Sequence, residues 1–173
     1  MSVDISPSEL TNDPCLSIMI ALRDVTLAAL TPVPQRVVLS PGLDVVWDDC
    51  CAGLLWVRLT RVFPTGFPFP NVDINQAGGV RMWAGQFGVG ISRCAQGTVG
   101  DSGASPSPET ITSDTIQELA DRAAMGHALL VDYPAMSDFT AECPLRFVQW
   151  DAQGPEGGCV GGEWQVIVSI PVC

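Results

Sequence analysis

The sequence predicts an α+β fold, a single domain in which a mainly antiparallel sheet packs against two helices. Three observations lead to this prediction. The chain has 173 residues, which is enough for one core and short for two independent domains. A helical pattern comes first, extended segments follow, and a second helical pattern precedes two last strands. No internal repeat and no domain boundary interrupts this order, so residues 1–173 are treated as one domain.

The first element is predicted to be an amphipathic helix over residues 14–30. Asn12 and Asp13 precede Pro14, which is the arrangement of a helix N-cap followed by proline in the first turn. Prolines directly after residue 30 end the helix. Its apolar stripe runs over about four turns. The stripe comprises Leu16, Met19, Ile20, Leu27 and Leu30.

Extended segments of alternating polarity predict the strands of the first half. Residues 36–39 and 43–47 flank a proline-glycine turn, so we expect a hairpin there. Residues 54–63 are the clearest strand. One of its faces carries Leu55, Val57 and Leu59, and the other carries Trp56, Arg58 and Thr60. Residues 80–94 follow as a long extended segment, whose glycines indicate a bulge or a closely passing backbone.

The second helix is predicted over residues 113–131, after a small, polar, mobile loop at residues 95–108. Acidic residues lie toward its N-terminal end, where the helix dipole favours them. Apolar residues recur at spacings of three and four, and we expect this stripe to be the packed face. The stripe comprises Ile116, Leu119, Ala120, Ala123, His127 and Leu130, so that His127 is expected to be a packed residue and not a ligand.

Two strands close the chain, over residues 145–151 and 163–170. In the last strand Trp164, Val166, Val168 and Ile170 share one face, and Gln165, Ile167 and Ser169 share the other. The connection between the strands, QGPEGGCVGG, is rich in glycine and predicts a long flexible loop. It lacks lysine and the GK[ST] ending, so a phosphate-binding loop is excluded.

Charge excludes one large class of function. The net charge is −11, and lysine is absent. A chain this acidic does not hold phosphates by counterion release, which disfavours sequence-specific nucleic-acid binding, although a duplex could slide past such a surface without sticking. The charged fraction of 16% leaves much neutral surface, which suits a subunit buried against partners but also a small hydrophobic monomer. The basic residues are Arg23, Arg36, Arg58, Arg61, Arg81, Arg93, Arg122 and Arg146.

Compartment and cysteine chemistry follow from the same composition. No apolar run approaches the length of a membrane span, and the N-terminal residues lack a signal-peptide pattern, so we expect synthesis in a cytoplasm and no membrane partner. There are seven cysteines, without a CxxC pair. Buried thiols are the default expectation. One or two disulfides that close in an oxidising medium are the alternative. The cysteines are Cys15, Cys50, Cys51, Cys94, Cys143, Cys159 and Cys173.

The search for catalytic residues gives none. The sole imidazole, His127, lies within the second helix, which disfavours a nucleophile–base pair. Asp48-Asp49-Cys50-Cys51 combines carboxylates and thiols, but adjacent side chains in a turn diverge, so a structural role is favoured over a metal or acid-base cluster. We therefore predict no enzyme activity, no catalytic residue, no cofactor and no metal site.

Two segments, DDCCAGLLWVRLTRVFP and GGCVGGEWQVIVSI, together with the two helices, carry a resemblance. They resemble the small neck and tail-completion proteins of siphoviruses that infect actinobacteria, in particular the tail terminator. The similarity is architectural over nearly the whole chain, and the absence of lysine fits such a host. The long loop at residues 95–108 departs from the pattern and leaves the choice among neck proteins open.

The resemblance implies a virion structural protein that is assembled in the host cytoplasm. It would form a ring, expected to be a homohexamer, at the head–tail neck. Its partners would be further copies of itself, the tail tube protein that it caps and a head-to-tail connector or stopper protein. Genomic DNA would pass through the lumen without sequence-specific binding. Another connector or stopper protein, and a secreted disulfide-stabilised binding domain, are the alternative functions.

Contacts within such a ring are expected to be heterologous, one face of each copy meeting a different face of the next. Sheets extended edge to edge could supply them, and residues 54–63 and the final strand are the candidates. Trp56 and Arg58 are the expected contact residues, with a helix packed over that face as the alternative.

Overall fold

Five strands form one sheet, with β1 and β4 at its two edges. The computed structural model describes residues 13–42, 50–66, 68–71, 82–95, 107–135, 144–156 and 158–170. The strands are β1 (Arg36–Pro41), β2 (Leu54–Thr65), β3 (Met82–Cys94), β4 (Leu145–Glu156) and β5 (Cys159–Ile170). Their order is β1-β2-β3-β5-β4, and only the β1–β2 pair is parallel. The predicted α+β fold, a mainly antiparallel sheet packed against two helices, is confirmed.

Both long helices begin at a proline that follows an N-cap residue. Helix α1 is Pro14–Ala29, and the Asp13 carboxylate accepts a hydrogen bond from the Cys15 backbone N–H at 2.7 Å. Helix α2 is Pro108–His127, and it continues through a π-helical turn (Ala128–Asp132) into the short α3 (Tyr133–Ala135). The α1 prediction is therefore correct in cap and length. Helix α2 begins five residues before the predicted start, because Ser107 caps it at the Thr110 N–H.

The core lies between the helices and one face of the sheet, which we call the helix face. Alternate strand residues supply it, namely Leu55, Val57, Phe87, Val89, Ile91, Val166, Val168 and Ile170. Helix α1 contributes Ile18, Leu22 and Val25, whereas Ile20 of the predicted stripe is exposed. The packed face of α1 is offset from the predicted stripe and includes Thr26. Its hydroxyl is satisfied by the Leu22 carbonyl at 2.7 Å.

Helix α2 packs on the sheet through a different face from the predicted one. Its buried residues are Asp121, Met125 and Gly126, followed by Ala128 and Leu129 in the π-helical turn. The predicted packed stripe is exposed throughout, and the expectation that His127 is packed is wrong. Contacts to β3 and β5, described below, fix this rotation of the helix.

Strand β1 and the connection between β4 and β5 differ from the predictions, and two other predicted segments lie wholly or largely outside the described residues. Strand β1 pairs in parallel with β2, with Arg36 opposite Leu54, and the predicted hairpin partner at 43–47 lies outside the described residues. The predicted long glycine loop before the last strand is wrong, because β4 and β5 extend into it as far as Glu156 and Cys159. Positive φ angles at Gly154 and Gly158 allow this tighter turn. Of the predicted loop at 95–108, only 95, 107 and 108 lie within the described residues.

Candidate functional site

The candidate reactive residues of the sequence do not form a reactive centre in the described structure. Asp48 and Asp49 lie outside the described residues, and both Cys50 and Cys51 are in disulfides. His127 lies exposed at the end of α2. Across the part of the chain that the structure describes, no three His, Cys, Asp or Glu side chains are grouped as metal ligands. The remaining candidates are a buried ionic cluster, a cleft and the exposed surfaces.

The adjacent cysteines connect one short turn to two strands. Cys50 bonds to Cys159 at the start of β5, and Cys51 bonds to Cys94 at the end of β3. For these four residues the default expectation of free thiols is wrong, and the alternative of disulfides is correct. Cys15, in contrast, is a free thiol. Burial, followed by the nearby Asp13 carboxylate, raises the pKa of this thiol above its ordinary value, so it is protonated at neutral pH.

A cleft of about 440 Å³ opens beside the Cys51–Cys94 disulfide. At its base the Arg93 guanidinium binds the Asp121 carboxylate with two hydrogen bonds, at 2.6 and 2.9 Å. Arg93 also donates to the Pro32 carbonyl, and Gln117 donates to Asp121. The polar groups of this pair are thus engaged with each other and with the backbone. The pair ties α2 to β3 and to the α1–β1 connection, which is a structural role.

The second face of the sheet, opposite the helix face, carries a buried ionic cluster around Glu163. Its carboxylate is fully buried and receives four donors from three side chains. Arg58 binds it with two hydrogen bonds of 2.7 Å, the Trp56 indole N–H donates at 2.5 Å, and the Gln165 amide completes the set. We call these four residues the Glu163 cluster. The two hydrogen bonds from Arg58 to Glu163 offset the free-energy cost of removing both charges from water.

Two glycines of β3 make room for the Glu163 cluster. Gly90 lies between Trp56 and Glu163 in the sheet register, and Gly88 lies between Arg58 and Gln165. A Cβ atom at Gly90 would lie 2.2 Å from Cζ2 of Trp56, and one at Gly88 would lie 2.4 Å from Cδ of Glu163. The side chains of the cluster therefore lie flat over β3. The predicted closely passing group is a set of side chains and not a backbone.

Trp56 and Arg58 were expected at a contact between copies, with a packed helix as the alternative. Their placement on the face opposite Leu55 and Val57 is confirmed. Both are buried within the chain, at 1% and 9% exposure, and are engaged with Glu163. The described helices cover the other face of the sheet. Neither expectation holds, because the Glu163 carboxylate of β5 accepts hydrogen bonds from both side chains within the chain.

Of the two strands proposed for edge-to-edge contacts, β5 is interior, and β2 is interior over its first half only. Strand β5 lies between β3 and β4, and β2 lies between β1 and β3 over residues 54–59. Among the described residues, its second half, 60–65, pairs only with β3. The true edges are poor templates for another chain. Strand β1 has six residues and ends in proline, and two register shifts interrupt β4. Short, proline-ended and bulged edges are the devices by which natural sheets avoid edge pairing.

Exposed apolar side chains run along α2 and into the π-helical turn that follows it. We call them the α2 stripe, which consists of Ile116, Leu119, Ala120, Ala123 and Leu130. Ile116 is 62% exposed, Leu119 46% and Leu130 63%. The spacing of these residues places them along one side of the helix. Because Arg93 binds Asp121, and the Trp164 indole donates to the Arg122 carbonyl at 3.0 Å, the opposite side of α2 faces the sheet.

A row of residues crosses the second face of the sheet next to the Glu163 cluster. It runs from Arg61 through Gln86 and Ile167 to Arg146 across four strands, and we call it the arginine row. Both arginines at its ends are exposed. Arg61 lies 4.9 Å from the centre of the Phe63 ring and donates to Gln86. Within the described ranges, no carboxylate forms an ion pair with Arg61 or Arg146.

Comparison with known proteins does not place the chain in a family. No protein-family model matches it, and no curated protein matches it. No helix among the described residues is long and apolar enough to cross a membrane. Support for a function therefore comes from the surfaces of the chain itself.

Proposed function

We propose that the chain is a virion structural subunit that forms a ring at the head–tail junction of a siphovirus. In this role it caps the tail tube and joins it to the head connector, and the ring is a homohexamer assembled in the host cytoplasm. The chain acts by binding and not by catalysis. The proposal joins the resemblance of the sequence to one structural feature, the exposed α2 stripe.

The α2 stripe carries the proposal because it leaves large apolar side chains in water along the outside of a helix. Burial of such a surface is favourable by about 25 cal/mol for each Å² removed from water, so a partner stabilises it. A low charge content also favours burial of the surface against a partner, and only 16% of residues are charged. The acidic net charge suits a channel wall along which DNA passes without tight binding.

Another connector or stopper protein of the same neck has the same support. A second class, a secreted disulfide-stabilised binding domain, is favoured by one observation, the two disulfides. This alternative predicts a stable monomer that carries both disulfides when it leaves the cell. The ring proposal predicts copies that associate with one another.

Electron microscopy of the purified chain over a rising concentration series tests the proposal. We expect closed annular particles with rotational symmetry, sixfold for the tail terminator. A reconstruction of the virion that encodes the chain then separates terminator from connector by the position of the ring. A reconstruction without this polypeptide between capsid and tail would overturn the proposal.

A further inference from the structure

We propose that the reduced chain binds one Zn²⁺ ion through four cysteines that the fold brings together. They are Cys50 and Cys51 of the short turn, Cys94 at the end of β3 and Cys159 at the start of β5, and we call them the cysteine cluster. In the structure their sulfurs are joined in two disulfides, so the described residues present no group of free metal ligands. Reduction of both bonds leaves four thiols in one place.

The cluster is compact because two strands and one turn place their cysteines side by side. Cys94 lies directly opposite Cys159 in the β3–β5 pair. The Ala95 N–H donates to the Gly158 carbonyl at 2.8 Å, which makes the two cysteines a non-hydrogen-bonded pair. In such a pair the Cα atoms lie about 4.5 Å apart and both side chains lie on one face of the sheet. The adjacent cysteines of the turn each bond to one of these two, with Cα–Cα distances of 5.9 and 4.0 Å.

Four sulfurs in this arrangement fit a tetrahedral zinc site. Zn–S bonds of about 2.3 Å place the sulfurs of such a site about 3.8 Å apart. Each disulfide holds its two sulfurs in covalent contact, so the site requires them to move apart and not to approach. Four thiolates without an open position form a structural site and not a catalytic one. The absence of a CxxC pair does not count against the site, because the fold brings the ligands from three segments.

The short turn needs a link to the sheet wherever thiols are kept reduced. A cytoplasm, where we expect the chain to be made, disfavours disulfides. The turn, Cys50–Ala52, is three residues long, and its two cysteines are what bonds it to β3 and β5. A zinc ion held by all four cysteines attaches the turn to the same two strands. Zinc and the two disulfides are thus alternative links at one place.

Reductant and metal reach the cluster from the cleft beside it. Cys51 is exposed and, with Cys94, lines the cleft of about 440 Å³, whereas Cys50 and Cys159 are each 3% exposed. A dithiol reductant gives two electrons and two protons to each disulfide and becomes a disulfide itself, so two equivalents yield four thiols. Zn²⁺ then binds as the thiols release their four protons to water. Two equivalents of a disulfide oxidant, each taking up two electrons and two protons, restore both bonds and expel the ion.

Cobalt and zinc titrations of the reduced full chain test the site. The chain is reduced with a dithiol, freed of reductant without oxygen and titrated with Co²⁺, whose tetrahedral thiolate complexes absorb strongly in the visible range. We expect the absorbance to saturate at one Co²⁺ per chain and Zn²⁺ to abolish it. Chain purified without oxygen from a reducing cytoplasm should carry one zinc. A disulfide oxidant should release that zinc to a chromogenic chelator.

Two multiple variants separate the cluster from the other thiols of the chain. Cys51→Ser with Cys94→Ser removes two ligands and should lose both the cobalt spectrum and the bound zinc. The matched control replaces the cysteines outside the cluster, Cys15→Ser with Cys143→Ser and Cys173→Ser, and should keep both. Because unfolded thiols also bind metals, zinc must raise the unfolding temperature of the reduced chain and of the control, and not that of the first variant. If the reduced chain is unfolded without metal, zinc should restore its native circular dichroism.

Three results would overturn the inference: no cobalt uptake by the reduced chain, binding that survives loss of two cluster cysteines, or binding that is lost in the control. Reduced chain that zinc neither stabilises nor refolds would do the same. Both disulfides without zinc, in chain whose thiols are trapped as a reducing cytoplasm is opened, would assign the cluster to disulfides alone. Iron in place of zinc would overturn the choice of ion. The inference goes beyond the proposed function and is independent of it, since no metal measurement bears on the ring and no image of the ring bears on the metal.

Discussion

At the scale of the residue, Glu163 combines full burial of a carboxylate with four hydrogen-bond donors. A buried carboxylate is strongly destabilising unless a cation and further donors accompany it, and here Arg58, Trp56 and Gln165 do so. The cluster lies in the middle of the sheet, between β2 and β5 and over β3. Glu163 is the common acceptor of the other three side chains, so its substitution removes one hydrogen-bond partner from each of them.

A double-mutant cycle on Arg58 and Glu163 measures that dependence. We expect Glu163→Gln, and Arg58→Met, each to lower the free energy of unfolding by about 3–5 kcal/mol, because each leaves a buried charge without its counterion. The double variant should lose less than the sum of the two. Urea unfolding followed by tryptophan fluorescence gives the values. Additive losses, or a Glu163→Gln variant as stable as the unaltered chain, would contradict this account.

Gly90→Ala tests the close approach of Trp56 to β3. The added methyl would meet the indole at 2.2 Å, so Trp56 must move away from Glu163. We expect a loss of about 1–3 kcal/mol, typical of overpacking. Gly66→Ala is the matched control, because nothing lies within 4 Å of a Cβ there. Equal midpoints of urea unfolding for the two variants would show that the indole is not confined.

At the scale of the element, long-range contacts decide how each segment is oriented. The rotation of α2 follows from Arg93 and Trp164, which lie on other elements, and not from its own apolar pattern. The short turn at Cys50–Ala52 has no apolar pattern to hold it and is attached through two disulfides to β3 and β5. Both cases place the decisive residue far away along the chain.

Removal of one disulfide tests how much the attachment of the Cys50–Ala52 turn stabilises the chain. We expect Cys50→Ser with Cys159→Ser to lower the free energy of unfolding by about 2–4 kcal/mol, since the bond closes a long loop in the unfolded chain. Cys51→Ser with Cys94→Ser should behave similarly. Cys15→Ser, at a free thiol, is the control and should change stability little. Peptide mapping without reductant checks the pairing, and Cys50 linked to any residue other than Cys159 would contradict it.

At the scale of the whole molecule, the two faces of the sheet differ in kind. The helix face buries the apolar core, while the second face carries the Glu163 cluster and the exposed arginine row. Strands β3 and β5 are interior and paired along their length, so they form the centre of both faces.

Hydrogen exchange of backbone amides reports this arrangement directly. We expect the slowest exchange in β3 and β5, which have hydrogen-bonded neighbours on both sides, and faster exchange in the edge strand β1. Mass spectrometry of peptides from the native chain measures it. Slower exchange in β1 than in β3 would contradict the strand order.

Local patterns in the sequence were enough for several features of this protein. The Asp13-Pro14 cap predicts the start of α1, because a cap involves only neighbouring residues. Alternation predicts which side chains of β2 and β5 share a face, because side chains on a strand alternate by geometry. The α+β class follows from the order of these elements. Each of these features depends on contacts within a few residues.

Only the tertiary structure decided the rest, for one physical reason. Whether the apolar stripe of α2 is packed or exposed, whether Cys50 finds a partner, and whether β2 lies at an edge all depend on residues distant in the chain. The Glu163 cluster had a faint signal, two alternate glycines of β3 opposite Trp56 and Arg58. That signal has meaning only once β2, β3 and β5 are known to be neighbours, since pairing across the sheet is what brings a tryptophan, an arginine and a carboxylate together.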